Sequence, residues 1–529
     1  MPSNEVMGPV FSASASGLPT VAMGGRNLHS TRDPRVEARR FIEARESSGK
    51  RIGPGSLVLL VGACLDYLAE CLSGFHEGID IVSIQLSSDF RGRERPGARL
   101  HWYAGERESL DGFLLSLLDP DELSPLVVLE WQPGMEAFPE EARAVREALA
   151  RALSRNASEA ATTRASGRRW IANAVRNFLG VEELVMMGRL TAPVLVLGAG
   201  PSLPEALALL EPLRESFHVI AVSSAAAAAL ARGIVPDLVV NTDPGWWSFP
   251  HLATLAGRSI PVAMPLSACQ PWHASPILVV DQGLAFESEL AGRLGPALRL
   301  PSHGTVSGSA LFLAATMGSG PIVVAGFDFA ATASESHARP HAFDGHILSA
   351  EGRLRPGEGL RWSRLSSAHP EILGDSGWRT SRSLGIYASA IASDAVGIGG
   401  RLWRLCPSPV DIPGARPLDP AGLTALSLAT GRKAPSLPLR PVSATDDRRG
   451  ALPGILATWR REARDYLDQG PDAIVRQLPI ADLLRCIDLP DWAALRRAGR
   501  RGLWVPESAA RLLDEVETFL AALEKRWIA

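Results

Sequence analysis

Residues 194–203 read VLVLGAGPSL, an apolar run that ends in a glycine turn. The segment that follows, LPEALALLEPLRE, has the apolar spacing of an amphipathic helix. A strand that enters a helix through a glycine turn is typical of parallel α/β domains. Gly198 and Gly200 would let the backbone approach a phosphate, because the first N–H groups of a helix attract anions. Ser202, which follows Pro201, can cap the helix. The turn therefore predicts a phosphorylated, nucleotide-linked ligand.

The same turn also has an interpretation without a ligand. The full dinucleotide fingerprint is G-x-G-x-x-G, and its third glycine is replaced here by Leu203. A tight connection between a strand and a helix would use the same glycines for backbone packing alone. The turn by itself therefore leaves open both a nucleotide site and a purely structural connection.

The composition limits the class of protein. A chain of 529 residues is too long for one hydrophobic core, so two or three domains are expected. The formal net charge of −3 gives no electrostatic footprint for nucleic acid. The five cysteines form no C-x-x-C pair and no Cys/His cluster with zinc spacing, so no metal site is predicted. The N-terminus lacks a secretory pattern and no apolar stretch approaches about 18 residues, so we expect a cytoplasmic protein without a membrane span.

Alternating strand and helix patterns predict the α/β class. The predicted organisation is a flexible lead (1–30), a Rossmann-like parallel-sheet N-terminal domain (31–155), a helical connector (156–190), a central α/β domain (191–410), a linker rich in Pro and Ser (411–450) and a helical C-terminal domain (451–529). Strands are expected at 56–62, 79–86, 99–105 and 126–133 in the N-terminal domain, and at 192–198, 217–222, 236–242, 260–265, 276–281 and 321–327 in the central domain. Residues 331–380 lack periodicity and predict a long loop that is either functional or disordered.

Polar segments follow several strands of the predicted central sheet. Ligands of open α/β sheets bind beyond the carboxyl ends of the strands, so these segments would converge there. Asn241 and Asp243 end one strand with oxygens suited to ribose hydroxyls or a base edge, although Asp243 in a plain turn would bond its own backbone instead. Gly304 and Thr305 begin a second helix, where Thr305 is either an ordinary cap or part of a second phosphate site.

Two side chains are candidates for acid–base chemistry. Asp328 lies just past the strand PIVVAGF, where a carboxylate serves as a base, as a ligand contact or as a plain turn residue. His337 and His341 lie in the segment SHARPH, and Pro340 argues against a helix that would place both on one face for zinc. A loop histidine with a pKa near neutrality is a reasonable general base, and a solvated loop histidine is the alternative.

Taken together, these segments resemble the motility accessory factor (Maf) family of flagellin glycosyltransferases, also described as the DUF115 or 6-hydroxymethylpterin-pyrophosphokinase-like (MptE-like) family. The resemblance covers roughly residues 20–410, and its segments occur in the expected order. They are LHSTRDPRVEARRFI (28–42), SLVLLVGACLDYLAECL (56–72), RRWIANAVRNFLGV (168–181), GAGPSL (198–203), ARGIVPDLVVNTD (231–243), HGTVSGSALFLAATMG (303–318), PIVVAGFDFA (321–330), SHA (336–338), and Thr380 with LGIYASAIASDAV (384–396).

The resemblance implies a glycosyltransferase that moves a nonulosonic (sialic-acid-like) sugar from its CMP-activated form to Ser or Thr of flagellin. It implies a central domain similar to metal-independent bacterial sialyltransferases, which need no cofactor beyond the CMP-sugar donor. The implied ligand contacts are Gly198, Gly200, Pro201, Ser202, Gly304 and Thr305 for the CMP phosphate and ribose, and Asn241 and Asp243 for cytidine or ribose. Asp328 or His337 would be the base that takes the proton of the acceptor hydroxyl. In the first domain, this sequence has VGACLDY where the family has a glycine-rich turn.

Two other functions remain open at this point. An ATP- and Mg²⁺-dependent diphosphokinase of the pterin type is one, because archaeal pterin kinases share the central motifs. A non-catalytic flagellin-binding or assembly factor is the other, and the altered turn of the first domain favours it. The large first domain and the helical tail favour the transferase over the kinase, because they offer a surface for docking a protein. Flagellin and a nucleotide sugar are thus the expected partners.

Overall fold

The computed structural model describes residues 8–47, 52–118, 126–270, 275–406, 408–429, 434–443, 447–474, 476, 478–499 and 502–527. The chain forms two compact units. The first unit consists of residues 1–165, 462–478 and 488–516, and the second of residues 166–461, 479–487 and 517–529. Within the described ranges, no helix combines the length and the apolar character that crossing a membrane requires.

The first unit begins with a small antiparallel sheet where the sequence predicts a flexible lead. Its strands are β1 (Val10–Ala13), β2 (Pro19–Met23) and β3 (Arg26–Asn27). Val21, Leu28 and His29 are buried, and the His29 ring accepts a hydrogen bond from the Leu65 N–H at 3.1 Å. This segment is ordered because its few apolar residues pack on the domain core, a contact that its local pattern does not signal.

The main sheet of the first unit confirms the predicted Rossmann-like domain. Its four parallel strands are β4 (Leu57–Val61), β5 (Asp80–Gln85), β6 (Leu100–Tyr103) and β7 (Leu126–Glu130), in the order β6-β5-β4-β7. Its helices are α1 (Pro34–Ser47), α2 (Tyr67–Phe75), α3 (Leu110–Leu117) and α4 (Gln132–Ala137). The strands read as apolar runs because a parallel sheet is covered on both faces.

The turn after β4 is filled by its own side chains. Asp66 is fully buried, accepts a hydrogen bond from Ser83 Oγ at 2.8 Å and lies 2.7 Å from His101 Nε2. Burial raises the pKa of Asp66, and the bonds from His101 and Ser83 oppose that rise. Gln85 Nε2 donates to the carbonyl oxygen of Cys64 at 3.1 Å. A carboxylate thus fills the turn VGACLDY, where the resemblance implies a glycine-rich sequence.

A helix of 42 residues, α5 (Pro139–Gly180), joins the predicted end of the first domain to the predicted connector without a break. The helices of the second unit that follow are α6 (Leu203–Leu210), α7 (Ala226–Ala231), α8 (Phe249–Ala253), α9 (Ala285–Leu294), α10 (Val306–Met317), α11 (Asp344–Ser349), α12 (Gly357–Ala368), α13 (Arg382–Ile398) and α14 (Pro420–Ala429). The C-terminal region is helical, as predicted: α15 (Arg448–Asp468), α16 (Pro471–Ile474), α17 (Ile480–Ile487), α18 (Leu489–Gly499) and α19 (Pro506–Trp527).

The second unit is built on an eleven-stranded sheet within the described residues. The strands are β8 (Leu184–Met187), β9 (Val194–Leu197), β10 (His218–Val222), β11 (Leu238–Val240), β12 (Val262–Met264), β13 (Ile277–Asp281), β14 (Leu298–Arg299), β15 (Ile322–Ala325), β18 (Leu402–Leu405), β19 (Arg416–Leu418) and β20 (Leu439–Val442), while β16 (Glu371–Leu373) and β17 (Trp378–Thr380) form a separate hairpin. The order is β19-β18-β15-β9-β10-β11-β12-β13-β8-β20, with β14 beside β13. The paired strands are parallel except for β8 and β20.

Two segments of the second unit carry more structure than their sequences predict. Residues 331–380, predicted as a loop, contain α11, α12 and the β16–β17 hairpin. Residues 411–450, predicted as a linker, contain β19, α14 and β20. These elements are short and mostly half-exposed, so they lack the continuous apolar runs that identify the buried strands β9, β10 and β15.

Candidate functional site

The carboxyl ends of β9 and β15 form the topological switch point of the large sheet. From β9 the chain continues through β10, β11, β12 and β13 on one side, and it later adds β15 and β18 on the other. Ligands of open parallel sheets bind in the crevice at such a point. The loop 198–202 leaves β9 there and the loop 326–328 leaves β15, so the structure brings these two predicted segments together.

Glycines allow the backbones of these two loops to touch. The N–H of Gly198 donates to the carbonyl oxygen of Ala325, and the N–H of Gly200 to that of Gly326, each at 2.8 Å. A Cβ atom on Gly198 would lie 2.6 Å from the carbonyl oxygen of Gly326, and one on Gly200 would lie 2.7 Å from the same atom. Pro201 has no N–H to offer. The glycines thus serve close packing, and their N–H groups already have acceptors.

Asp328 bonds to the turn after β9 through both carboxylate oxygens. The N–H of Ser202 donates to Oδ2 at 2.7 Å, and its hydroxyl donates to Oδ1 at 2.6 Å. Asp328 is 1 % exposed, and burial raises its pKa while the bonds from Ser202 and the charge of Arg404 oppose that rise. Arg404 donates to the carbonyl oxygen of Phe327 at 2.7 Å and so holds the same loop. Asp328 therefore lies in the crevice as a group that joins the two loops.

The second predicted glycine turn lies directly before α10. This helix packs on β9 and β10. Gly304 has a φ of 66°, and Thr305 caps the helix because its hydroxyl accepts from the N–H of Gly308 at 2.9 Å. The N–H groups of Val306 and Ser307 have no acceptor among the residues that the structure describes. Unpaired N–H groups and the positive end of the helix dipole attract anions. The N-terminus of α10 can therefore hold a phosphate.

His337 lies beside the glycine turn. The N–H of Ala338 donates to the carbonyl oxygen of Ala199 at 2.9 Å, and the centroid of the His337 ring lies 4.6 Å from that of His341. Although His337 is exposed, the surrounding protein lowers the pKa of its imidazole well below the usual range by desolvation, and the neighbouring histidines lower it further by repulsion. The ring is therefore neutral at physiological pH and free to accept a proton, but its lowered pKa differs from the near-neutral value expected from the sequence and makes it a weaker base.

The two polar residues after β11 have different environments. Asn241 is fully buried, its Oδ1 accepts from Ser223 Oγ at 3.0 Å and its Nδ2 donates to the carbonyl oxygen of Cys269 at 2.9 Å. Asp243 is exposed, and its Oδ1 accepts from the N–H of Gly245 at 2.6 Å, which makes an Asx turn. Asn241 thus ties two loops together, whereas Asp243 has an Oδ2 atom with no hydrogen-bond partner in the described part of the chain.

Two asparagines on α5 hold the loop 266–268 that follows β12, and the sequence analysis did not predict them as site residues. Asn173 Nδ2 donates to the carbonyl oxygen of Ser267 at 2.9 Å. Asn177 is fully buried, and its Nδ2 donates to the carbonyl oxygens of Leu266 at 2.7 Å and Ala268 at 2.8 Å. The available signal was their spacing of four residues on one face of an otherwise apolar helix end, where buried amides need partners.

Replacing Asn177 with alanine should lower the free energy of unfolding of the second unit by about 1–3 kcal/mol, because two buried carbonyls lose their donor. Urea unfolding measures this loss. Arg169→Ala on the same helix is the control, since Arg169 is exposed and its removal should change the free energy by less than about 0.5 kcal/mol. Equal midpoints for the two variants would contradict the positioning role of Asn177.

The fold and the crevice define the chain as an α/β protein with a candidate ligand site at the switch point of its large parallel sheet. In the described ranges, no group of three or more His, Cys, Asp or Glu side chains is placed to hold a metal ion. Comparison with known proteins agrees with the fold and with the central motifs. Residues 168–334 match the family model described as 6-hydroxymethylpterin diphosphokinase MptE-like.

One sequence relative and one solved structure extend this comparison. A protein of Treponema pallidum (strain Nichols), described as an uncharacterized protein, is 31% identical over 239 residues, which are 44% of this chain and 53% of that protein. The chain thus spans about half the length of this relative. The structure of MAf glycosyltransferase from Magnetospirillum magneticum AMB-1 superposes with a TM-score of 0.51 at 13% identity, over 97% of this chain and 91% of that one. The resemblance inferred from the motifs is confirmed for the central family model and for the fold.

Proposed function

We propose that this chain is a glycosyltransferase that transfers a nonulosonic acid from its CMP-activated form to Ser or Thr hydroxyls of flagellin in the cytoplasm. The observation that carries the proposal is the neutral His337 beside the glycine turn at the switch point of the sheet, and the unpaired N–H groups at the N-terminus of α10 support it. A hydroxyl that displaces a phosphate leaving group needs a proton acceptor and an anion site. The fold shared with a Maf glycosyltransferase supports the same proposal.

In the proposed reaction, the acceptor oxygen forms a bond to the anomeric carbon of the sugar while the bond from that carbon to the phosphate oxygen breaks. The imidazole of His337 takes the proton of the acceptor hydroxyl. The N–H groups of Val306 and Ser307 stabilise the negative charge that develops on the departing CMP. Asp328 holds the turn through Ser202 and keeps the crevice in shape.

The family model favours a second function over residues 168–334, a diphosphokinase acting on a pterin with ATP and Mg²⁺. The N-terminus of α10 would bind a nucleoside triphosphate through the same N–H groups. The two functions differ in the nucleotide that binds and in the requirement for a divalent cation, so nucleotide binding separates them.

Isothermal titration of the full chain with CMP, CMP-sialic acid and ATP–Mg²⁺ tests the proposal. We expect CMP and CMP-sialic acid to bind in the presence of EDTA, because N–H groups rather than a cation hold the phosphate. A preference for ATP–Mg²⁺ would replace the transferase with the diphosphokinase. If no nucleotide binds, both enzyme functions are excluded and a non-catalytic flagellin-binding factor is the remaining function. The intact mass of co-expressed flagellin from the source organism then reports whether a sugar is transferred.

A further inference from the structure

An open groove of about 800 Å³ lies on the second unit, outside the candidate site at the glycine turn. Its floor is the end of the large sheet, where β18 lies beside β19, the last strand in the order. Trp403, Leu405 and Leu418 supply this apolar floor. Helices α6 and α14 form the walls, with Leu209 and Leu426 along the groove. Ligand sites are typically concave apolar surfaces of this size.

The groove begins next to the loops of the switch point. Val324 of β15 pairs with Arg404 of β18, and the two strands are parallel. Cys406, which lines the groove where the chain leaves β18, therefore lies about 4.8 Å, one strand spacing, from Gly326. The carbonyl oxygen of Gly326 accepts from the N–H of Gly200 in the glycine turn. The mouth of the groove is thus continuous with the candidate site.

Two carboxylates stand at this mouth. Glu205, in the first turn of α6, is exposed and has no ion-pair partner in the described part of the chain. Asp419 follows β19, and its Oδ1 accepts from the N–H of Gly422 at 2.7 Å, which leaves Oδ2 without a partner among the described residues. Burial, together with the charges of Glu205 and Asp328, raises the pKa of the Cys406 thiol to about 11. The mouth is therefore acidic.

The opposite end of the groove is basic. The guanidinium of Arg416 lies 5.5 Å from the centroid of the Trp403 ring. Trp403 and Cys406 are three residues apart along β18 and its end, so the floor is about 10 Å long. The polypeptide segment that complements these charges carries a basic side chain at the mouth and an apolar side chain beyond it.

The strand order gives the distance from the proposed base to the groove. The N–H of Ala338 donates to the carbonyl oxygen of Ala199, which places His337 beside the loop that leaves β9. β9 and β18 are separated by β15, so about 10 Å, two strand spacings, separates that loop from Cys406. An extended chain covers this distance with about three residues. The basic side chain thus lies about three residues from the reacting hydroxyl, and the apolar one about three to six.

We propose that the groove is the acceptor subsite and binds the stretch of flagellin that flanks the reacting Ser or Thr. The basic side chain of that stretch pairs with Glu205 and Asp419, and its apolar side chain covers the floor. The inference rests on the proposed function, which supplies flagellin as the acceptor. The groove would then select the hydroxyl, because a Ser or Thr without these neighbours gains no binding there.

Ala425→Trp tests the subsite by filling the groove. Ala425 is exposed on α14 and lines the groove, so the indole covers the floor without removing a core side chain. Loss of one apolar anchor should weaken the binding of unmodified flagellin to the full chain about 10- to 150-fold by calorimetry. Thr424→Trp is the matched control, since Thr424 is exposed on the same helix outside the groove. Circular dichroism should show both variants folded.

Glu205→Arg tests the acidic mouth. The reversed charge should weaken flagellin binding about 2- to 5-fold at low salt, and the difference should vanish at high salt. Glu211→Arg is the control, because Glu211 is exposed after α6 and does not line the groove. Equal affinities of the two variants at low salt would overturn the role of Glu205.

The acceptor sequence provides an independent test. Once peptide mass mapping has located the modified hydroxyl, the apolar residue three to six positions away is changed to glutamine in flagellin. This change should raise the KM for flagellin about 10-fold or more at an unchanged kcat, since only binding is lost. The same change ten or more positions away should have no effect. Equal KM values for the two flagellin variants would overturn the proposed register.

The outcomes for Ala425 separate this inference from the proposed function. Ala425→Trp should bind CMP as the unaltered chain does, because the groove lies outside the candidate site. Unchanged flagellin affinity, or an equal loss in Thr424→Trp, would overturn the acceptor subsite and leave the transferase standing. Conversion of a dimer to a monomer by Ala425→Trp would assign the groove to a second copy and overturn the subsite as well. Failure of the unaltered chain to bind CMP would overturn the proposed function itself.

Discussion

Replacing Gly326 with alanine should lower the free energy of unfolding of the second unit by about 2–5 kcal/mol. The residue has a φ of 70°, a left-handed conformation that costs an L-residue about 1–2 kcal/mol. The new Cβ atom would collide with the carbonyl group of Gly198 and lie 3.0 Å from the Cβ atom of Leu203. Since the obstacle is backbone, no change of rotamer relieves it, and overpacking adds about 1–3 kcal/mol.

Gly233→Ala is the matched control for this prediction. Gly233 has a φ of 73°, and no heavy atom lies within 4 Å of the position of its Cβ. The substitution should therefore cost only the conformational strain, about 1–2 kcal/mol. Urea unfolding followed by circular dichroism compares the two variants. If Gly326→Ala lost no more stability than Gly233→Ala, the two loops at the switch point would not be in close contact.

The sequence predicts the buried strands well because parallel strands are apolar along their whole length. Val194–Leu197 and Ile322–Ala325 are fully buried runs of this kind, and all ten predicted strands appear within one to three residues of their expected ends. The strands that were missed, such as Arg416–Leu418 and Leu439–Val442, lie toward the edges of the sheet. They are half-exposed, so their patterns resemble those of loops.

The candidate site was predictable in position but not in its contacts. Each glycine turn follows its own strand or precedes its own helix, which local patterns reveal. The partners of its N–H groups do not follow from local patterns, because Ser202 and Asp328 bond across 126 positions of the chain. The same holds for Leu209, Trp403 and Leu426, which line one groove only through the fold. No short motif identifies such residues.

His337→Gln should reduce the rate of CMP release from CMP-sialic acid in the presence of acceptor by about 10²- to 10⁴-fold, the usual contribution of a general base. Because His337 is exposed, the substitution should change the free energy of unfolding by less than about 0.5 kcal/mol and leave CMP affinity unchanged. Since its pKa is lowered, the unaltered chain should keep a constant rate from pH 8 down to about pH 5, where an ordinary histidine would become protonated.

Asp328→Asn is the comparison that decides between the two candidate bases. The asparagine replaces one of the two accepting oxygens with an amide group, so the Ser202 hydroxyl must turn to accept from it and the charge-assisted bonds are lost; this variant should lose about 1–3 kcal/mol of stability. A carboxylate that is 1 % exposed and bonded to Ser202 through both oxygens cannot be reached by an acceptor hydroxyl unless the turn opens. A folded Asp328→Asn protein that loses more rate than His337→Gln would make Asp328 the base. If Asp328→Asn keeps its rate and His337→Gln loses it, the imidazole of His337 is the base that takes the proton.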